Sequence, residues 1–185
     1  MKAIGSKWVF KIKHNADRSI ERFKARLIAK GFSQRSGQDY FMRHTTIRTV
    51  VVLAAIHNLE LCSVDISHAF TNSDVDAEIY MKQPERFEQG GSKYVCKLNK
   101  SFYGLKQSPW LWGKKLAQVL FEMGFTKTYS DASLFIYNRD NIKVIVPVFV
   151  DDITLASKYK KTLDSFVVEL QKHFKLRDLG KLDFC

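Results

Sequence analysis

The chain has 185 residues, of which 45% are hydrophobic and 13% aromatic, so it is long and apolar enough to form a folded core rather than a disordered segment. Thirty Lys and Arg residues outweigh 19 Asp and Glu residues, and the formal net charge of +11 favours a polyanionic partner, nucleic acid ahead of a membrane. The sequence has no apolar run of the roughly 18 residues that a membrane span needs and begins without a secretory signal, which predicts an intracellular protein of the cytoplasm or nucleus.

Two amphipathic strands come first in the chain. Apolar and basic residues alternate from Lys7 to Lys13, and after a polar turn the same alternation returns from Arg22 to Leu27. The predicted hairpin therefore has one apolar face and one basic face, on which like charges repel unless an anion lies between them. Two interpretations stay open: a solvated face of an ordinary hairpin, or a surface that binds phosphates.

The rest of the chain is predicted to alternate strands with a few helices. Ser108 is predicted to cap a helix in which Pro109 takes the first position and which Gly124 closes. In chain order the predicted elements are a helix over 45–58, a strand over 60–66, a helix over 108–123, strands over 133–137, 143–150 and 153–156, and a helix over 160–173.

Three carboxylates stand where apolar strands end. Asp151 and Asp152 separate two apolar runs by the spacing of a tight hairpin, and Asp65 lies at the end of the strand over 60–66. Adjacent carboxylates raise each other's pKa unless a cation neutralises them, whereas a solvated turn is the simpler interpretation of an Asp pair alone. If the strands are neighbours, the three carboxylates converge and offer the oxygen ligands that suit Mg²⁺ or Mn²⁺. Two such ions, roughly 4 Å apart, would serve nucleotidyl transfer.

Six blocks occur in one order along the chain: KWVFKIK from Lys7, FKARLIAKG from Phe23, VDISHAF from Val64, EIYMKQP from Glu78, SFYGLKQSP from Ser101 and FVDD from Phe149. Together they resemble the reverse transcriptase domain of Ty1/copia-type LTR retrotransposon Pol polyproteins. The resemblance implies a right-hand polymerase fold of the α/β (α+β) class, with an antiparallel palm sheet and packed helices. The fingers would comprise roughly residues 7–50 and part of 75–110 and the palm the remainder, and the chain would end before the primer grip and the thumb.

The resemblance also implies roles for single residues. Asp65 is similar to the first catalytic aspartate of the family, and Asp151 and Asp152 are similar to its second motif, in which Phe149 replaces Tyr. These three aspartates would be both the catalytic residues and the metal ligands. Phe70 resembles the aromatic gate that clashes with a 2′-hydroxyl and so favours dNTPs over rNTPs, although a simple core aromatic remains the alternative.

Further residues would bind the substrate and the nucleic acid. Gln107 resembles the glutamine that contacts template and nucleotide, and Lys13 and Lys24 resemble the fingers lysines that hold the triphosphate. The alternatives are an exposed strand residue for Lys13 and a solvated bend at 106–107. The candidates for nucleic-acid contact are Lys11, Arg22, Arg26, Lys30 and Lys106.

The implied function is an RNA-directed DNA polymerase that extends a primer on an RNA or DNA template with dNTPs and two Mg²⁺ or Mn²⁺ ions, without a membrane partner. Between Tyr40 and Thr45 the chain is shorter than the family pattern, which is expected to draw the fingers toward the palm. Two other functions stay open. One is a non-catalytic, basic nucleic-acid-binding relic of a retrotransposon, and the other is a different palm-type nucleotidyl transferase or DNA-templated polymerase.

Overall fold

The structure, a computed structural model, describes residues 3–31, 44–91 and 93–178. The predicted shortening at 41–45 and the predicted end of the chain fall wholly or partly outside these ranges. The elements in chain order are β1 Ser6–His14, β2 Ile20–Ala29, α1 His44–Ile56, β3 Glu60–Ile66, a 3₁₀ turn Ala69–Asn72, β4 Tyr80–Lys82, β5 Val95–Lys97, α2 Ser108–Glu122, β6 Thr126–Lys127, β7 Leu134–Arg139, β8 Ile142–Phe149, β9 Asp152–Ser157, α3 Lys160–His173 and β10 Leu176–Asp178.

Six of the strands form one antiparallel sheet, in the order β10-β3-β9-β8-β7-β6. The strands β1 and β2 form a separate hairpin, and β4 and β5 form a second one. The predicted α/β class with antiparallel strands and packed helices is confirmed at this level. Among the described residues, no helix has the length and apolar character needed to cross a membrane.

The main hydrophobic core lies between one face of the six-stranded sheet and helices α2 and α3. Val64 and Ile66 of β3 point into this core, as do Ile153 and Leu155 of β9. Because side chains alternate across a strand, the residue between Val64 and Ile66, which is Asp65, points to the other face. Helix α1 contacts β8 and β9. The side chains of Asp65 and its cross-strand neighbours therefore lie on the face opposite the main core.

A smaller apolar cluster joins the β1–β2 hairpin to the rest of the molecule. Ala29 at the end of β2 packs with Ile79, Met81 and Leu105. The backbone of Ile4, just before β1, donates to the carbonyl of Tyr80 at 2.8 Å and pairs with Met81. The base of the hairpin is thus held by burial and by backbone hydrogen bonds.

The predicted helix cap at Ser108 is wrong. Helix α2 begins at Ser108 itself, and Gln107 occupies the cap position without a side-chain capping bond. The buried Ser108 hydroxyl instead donates to the Phe102 carbonyl at 2.6 Å and receives the Ser101 hydroxyl at 2.6 Å. Because the serine oxygen bonds back to the preceding loop, it ties residues 101–108 into a compact turn.

Candidate active site

Asp65 and Asp152 lie directly opposite each other on the neighbouring antiparallel strands β3 and β9. The Ile66 amide donates to the Asp151 carbonyl at 2.8 Å, so the hydrogen bonds flank this pair rather than join it. In such a non-hydrogen-bonded pair the two Cα atoms lie about 4.5 Å apart and the side chains leave the same face of the sheet. The predicted neighbouring of the two strands is confirmed, and the carboxylates of residues 87 positions apart in the chain share one patch of surface.

The hairpin between β8 and β9 turns one residue earlier than its sequence predicts. Phe149 pairs with Asp152, so the two residues of the turn are Val150 and Asp151, and Asp152 is the first residue of β9. Val150 has a φ of 56°, which is unfavourable for a β-branched residue. Its carbonyl accepts the indole N–H of the buried Trp112 at 2.6 Å, so a core side chain holds the turn in this conformation.

The carboxylates repel one another. The pKa of Asp152 is raised above its usual value by partial burial and by the negative charges of Asp151 and Asp65. On the other side of Asp65, strand β10 places Arg177 directly opposite it. Asp65 therefore lies between a carboxylate and a guanidinium in one cross-strand row.

The basic row of the β1–β2 hairpin is confirmed by its register. Lys11 pairs with Lys24, and Lys13 pairs with Arg22, so like charges lie directly opposite each other. Such pairs destabilise a hairpin unless an anion lies between them. The next member of the row on β2 is Arg26, which pairs with Val9.

The hairpin turns the inner part of this basic face toward the carboxylates and its apolar face outward. Lys13, Lys24 and Arg26 are half-buried, whereas Phe10 and Phe23 on the opposite face are 75% and 76% exposed. The pKa of Lys24 is lowered by burial and by Arg26, Lys13 and Arg22, and only the carboxylate of Asp65 opposes that shift. Part of the basic face is thus withdrawn from solvent, while Lys11 and Arg22 remain exposed.

Phe70 lies beside the carboxylate turn, within the 3₁₀ turn that follows β3. It is 8% exposed, and its ring meets the ring of Tyr103 edge to face with centroids 4.6 Å apart. The preceding His68 adopts the left-handed conformation, with a φ of 56°, where the chain leaves β3. The Phe70 ring thus packs against the ring of Tyr103.

Tyr103 is the residue that reasoning from the sequence missed. Its hydroxyl lies 3.5 Å from Oδ2 of Asp151, and the guanidinium of Arg26 lies 4.5 Å above its ring. The pKa of Tyr103 is raised by burial and by Asp151, against the opposing charge of Arg26. The signal in the sequence is an aromatic residue with a hydroxyl directly before Gly104, inside one of the six blocks.

The remaining three candidates lie in the segments next to α2 and β2. Gln107 is half-buried at the start of α2, where its carbonyl accepts the Leu111 amide at 2.9 Å, and its binding role stays a prediction. Lys106 is exposed in the turn before it. Lys30 is exposed just beyond β2, and its amide donates to the Gly5 carbonyl at 2.8 Å.

The three aspartates match the chemistry of a magnesium site. They supply only carboxylate oxygens, and burial together with the charges of Asp151 and Asp65 raises the pKa of Asp152. Within the described ranges, however, no three His, Cys, Asp or Glu side chains are gathered closely enough to hold an ion as they stand. Binding would therefore require the carboxylates to turn further toward one another.

Comparison with known proteins gives the family. Residues 1–185 match the family model described as "Reverse transcriptase (RNA-dependent DNA polymerase)". The chain is 41% identical over 182 residues to the "Retrovirus-related Pol polyprotein from transposon TNT 1-94" of Nicotiana tabacum, covering 94% of this chain and 14% of that protein. It is 36% identical over 188 residues to the "Retrovirus-related Pol polyprotein from transposon RE1" of Arabidopsis thaliana, covering 98% and 13%.

A yeast relative extends the comparison. The chain is 30% identical over 169 residues to the "Transposon Ty1-DR5 Gag-Pol polyprotein" of Saccharomyces cerevisiae, covering 86% of this chain and 9% of that protein. The chain thus spans about one seventh or less of the length of these relatives. By the family model and these relatives together, the chain belongs to the reverse transcriptase family, among the Pol polyproteins of Ty1/copia-type retrotransposons.

Proposed function

We propose that this chain is the nucleotidyl-transfer core of an RNA-directed DNA polymerase. In this proposal the six-stranded sheet with α2 and α3 is the palm, and the β1–β2 hairpin belongs to the fingers. The observation that supports it is the direct pairing of Asp65 with Asp152, beside Asp151 in the turn and beneath a row of cations. Repelling carboxylates next to a cationic surface are the arrangement that a bound metal–triphosphate would stabilise.

The reaction would be attack of the primer 3′-hydroxyl on the α-phosphate of a dNTP, with pyrophosphate leaving. Asp65, Asp151 and Asp152 would hold two Mg²⁺ or Mn²⁺ ions. Such ions lower the pKa of an attacking hydroxyl and neutralise the developing charge on a leaving group. The aspartates themselves would act by orientation and charge, with Asp65 and Asp152 placed by paired strands and Asp151 by the turn between β8 and β9.

The cations of the hairpin would bind the triphosphate. Lys24 is half-buried and lies within electrostatic range of Asp65, so an anion placed between hairpin and sheet would meet its ammonium. Lys13, in the neighbouring cross-strand pair, would extend this contact. An anion there would also relieve the repulsion along the basic row, so hairpin and nucleotide would stabilise each other.

Selection of the sugar would depend on Phe70. Its ring is nearly buried and its edge-to-face contact with Tyr103 limits its movement, so it could exclude a 2′-hydroxyl by its position alone. Lys11, Arg22 and Arg26, with Lys30 and Lys106, would contact the phosphates of the template and primer. The preference for an RNA template rests on the family and not on any single side chain.

One observation favours a second function, binding of nucleic acid without catalysis. The carboxylates are not gathered into a site that would hold an ion as it stands. A chain that could not bring them together would keep its basic surface and lose the chemistry. Both functions predict binding to primer–template that weakens with salt.

Primer extension separates the two functions. The chain is incubated with a DNA primer on an RNA template, the four dNTPs and either Mg²⁺ or Mn²⁺. Extension is expected, and Asp65→Asn, Asp151→Asn and Asp152→Asn should each lower it by about 100-fold or more, because each removes a carboxylate that no neighbour replaces.

Asp140→Asn is the matched control, because it tests whether an Asp→Asn change away from the site lowers primer extension. Asp140 lies in the turn at the opposite end of β8 with a φ of 51°, a conformation that Asn also tolerates. Asp140→Asn should therefore extend the primer at the rate of the unaltered chain. If the unaltered chain binds primer–template but extends the primer no more than Asp151→Asn does, the polymerase function is contradicted and the non-catalytic function is supported.

A further inference from the structure

We propose that Tyr103 is a positioning residue with two separable tasks: its hydroxyl orients Asp151, and its ring holds Phe70 in place and receives Arg26 from the hairpin. This inference rests on the proposed polymerase function. It extends that function by linking sugar selection and the orientation of a carboxylate to one side chain. Each task corresponds to a different part of the tyrosine, so Tyr103→Phe removes the hydroxyl alone, whereas Tyr103→Leu removes the ring together with the hydroxyl.

The backbone fixes where Tyr103 stands. Its carbonyl accepts the amide of Ala29 at 2.8 Å, and the carbonyl of Gly104 accepts the amide of Gly31 at 3.1 Å. Gly104 has a φ of +92°, and a Cβ there would lie 2.1 Å from the Ala29 carbonyl oxygen. The end of β2 can approach the loop this closely only because residue 104 has no side chain. Tyr103 therefore moves with the base of the hairpin.

The opposite side of the loop is tied to the core. The Phe102 amide and carbonyl both bond to the hydroxyl of Ser108, at 3.1 Å and 2.6 Å. Ser108 is the first residue of α2, which packs beneath the six-stranded sheet. Tyr103 is thus held between the hairpin on one side and the helix layer on the other, next to the turn that carries Asp151.

The hydroxyl can act only as a donor toward Asp151. A phenol carries one O–H donor and a carboxylate oxygen accepts, so the recorded bond runs from Tyr103 to Asp151. The distance to Oδ2 of Asp151 is 3.5 Å, at the long limit for a hydrogen bond. A hydrogen bond of that length orients the carboxylate weakly, and its removal should change the rate by a small factor.

The ring acts on different partners. Its edge-to-face contact with Phe70 has a centroid distance of 4.6 Å, and the Arg26 guanidinium stacks 4.5 Å from its centroid. Both contacts use the π-system and neither uses the hydroxyl. If Phe70 selects the sugar, the preference for dNTPs over rNTPs should depend on the ring of Tyr103 and not on its hydroxyl.

The test compares Tyr103→Phe with Tyr103→Leu. Tyr103→Phe should lower kcat by about 2- to 5-fold, the effect of one weak hydrogen bond, while leaving the preference for dCTP over CTP intact. Tyr103→Leu should lower that preference by about 3- to 10-fold, because it removes the aromatic ring that packs against Phe70. A residue with a purely structural role would lower activity with both nucleotides alike and would not produce this division.

Tyr137 is the matched control. Its ring packs against Phe125 and Phe166 on the core side of the sheet, away from the aspartates. Tyr137→Leu should lower stability without changing the preference for dCTP. A double-mutant cycle with Arg26→Lys adds a second check. Lysine keeps the charge but cannot stack on the ring as the planar guanidinium does. The change that Arg26→Lys makes in the preference for dCTP should therefore be smaller in a Tyr103→Leu background than in the unaltered chain.

A binding measurement separates failure of this inference from failure of the proposed function. With a dideoxy-terminated primer on the template, no bond can form, and retention of the labelled primer–template is measured as dCTP or CTP is added with Mg²⁺. An unaltered chain that favours dCTP here but extends no primer would overturn only the polymerase activity. A Tyr103→Leu chain with unaltered preference in both assays, or an unaltered chain with no preference in either, would overturn the inference.

Discussion

Asp65 and Asp152 occupy directly opposed positions on neighbouring antiparallel strands, with no hydrogen bond joining the pair. Like charges in this arrangement destabilise a sheet by about 0.2–1 kcal/mol. A sequence selected only for stability would not place two carboxylates there. The repulsion is therefore a property of the site that can be measured without any assay of activity.

Asp152→Asn is expected to stabilise the metal-free chain at neutral pH. Removing one of the two opposed charges should raise Tm by about 1–3 °C in the presence of EDTA. The measurement is thermal unfolding followed by circular dichroism at pH 7.5. The Asp140→Asn variant, altered at the far end of β8, should show no comparable rise, and a lower Tm for Asp152→Asn would contradict the interpretation.

The gain from Asp152→Asn should shrink as the pH falls. The folded-state pKa of Asp152 is raised, so the folded chain binds this proton more tightly than the unfolded chain. The stability linked to this group is present below its unfolded pKa and is lost as pH rises through its folded pKa. Urea unfolding of both chains between pH 4 and 8 should show the largest difference at the alkaline end, and a constant difference would exclude Asp152 as its source.

Gly104→Ala should destabilise the chain far more than a matched glycine replacement. A methyl group at residue 104 would meet the Ala29 carbonyl oxygen at 2.1 Å and Cγ2 of Ile28 at 2.5 Å. Gly91 has nearly the same φ, +93°, but nothing within 4 Å of the added carbon. Urea unfolding should show a loss of about 1 kcal/mol for Gly91→Ala and more than about 2 kcal/mol for Gly104→Ala. Equal losses of stability for the two variants would mean that the positive φ alone, and not the contact with Ala29 and Ile28, is responsible.

Ser108→Ala tests the buried serine pair in the loop before α2. The change removes the acceptor of the Ser101 hydroxyl and of the Phe102 amide, both of which would lose their bond in a buried or half-buried position. The expected loss is about 2 kcal/mol in the free energy of unfolding. Ser165→Ala on the exposed side of α3 removes a single bond to the Thr162 carbonyl and should change stability by less than about 0.5 kcal/mol. Similar losses for both variants would argue against the buried network.

Lys11→Gln should reduce the salt dependence of primer–template binding. Removing one lysine that neutralises a phosphate lowers the slope of log affinity against log salt by about 0.7–0.9. Fluorescence anisotropy between 50 and 300 mM NaCl measures that slope. Lys161→Gln, on helix α3 behind the opposite face of the sheet, should leave the slope unchanged. A Lys161 effect as large as that of Lys11 would point to binding by net charge rather than by the hairpin.

The amino-acid sequence alone predicted the first hairpin, the three helices and the longer strands of the main sheet, but not the short strands β4, β5, β6 and β10. It also singled out the three aspartates as candidates. Periodicity is a local property, so the alternation around Phe10 and the helical stripe over 160–173 predict a strand and a helix that the structure contains. The strand over 60–66 is likewise found with its predicted bounds. The family, too, is readable from the order of the short blocks, which the comparisons confirm.

Only the tertiary structure decided how these parts meet. The residue that opposes Asp65 is set by the register between β3 and β9, which lie far apart in the chain. The register between β8 and β9 places Val150 and Asp151 in the turn. The inward direction of the basic face depends on Gly104, because it lets β2 lie against the loop that carries Tyr103. Periodicity describes one element at a time, whereas these relationships are set by packing between elements, and so the pattern of residues predicts the pieces of the site but not their contacts.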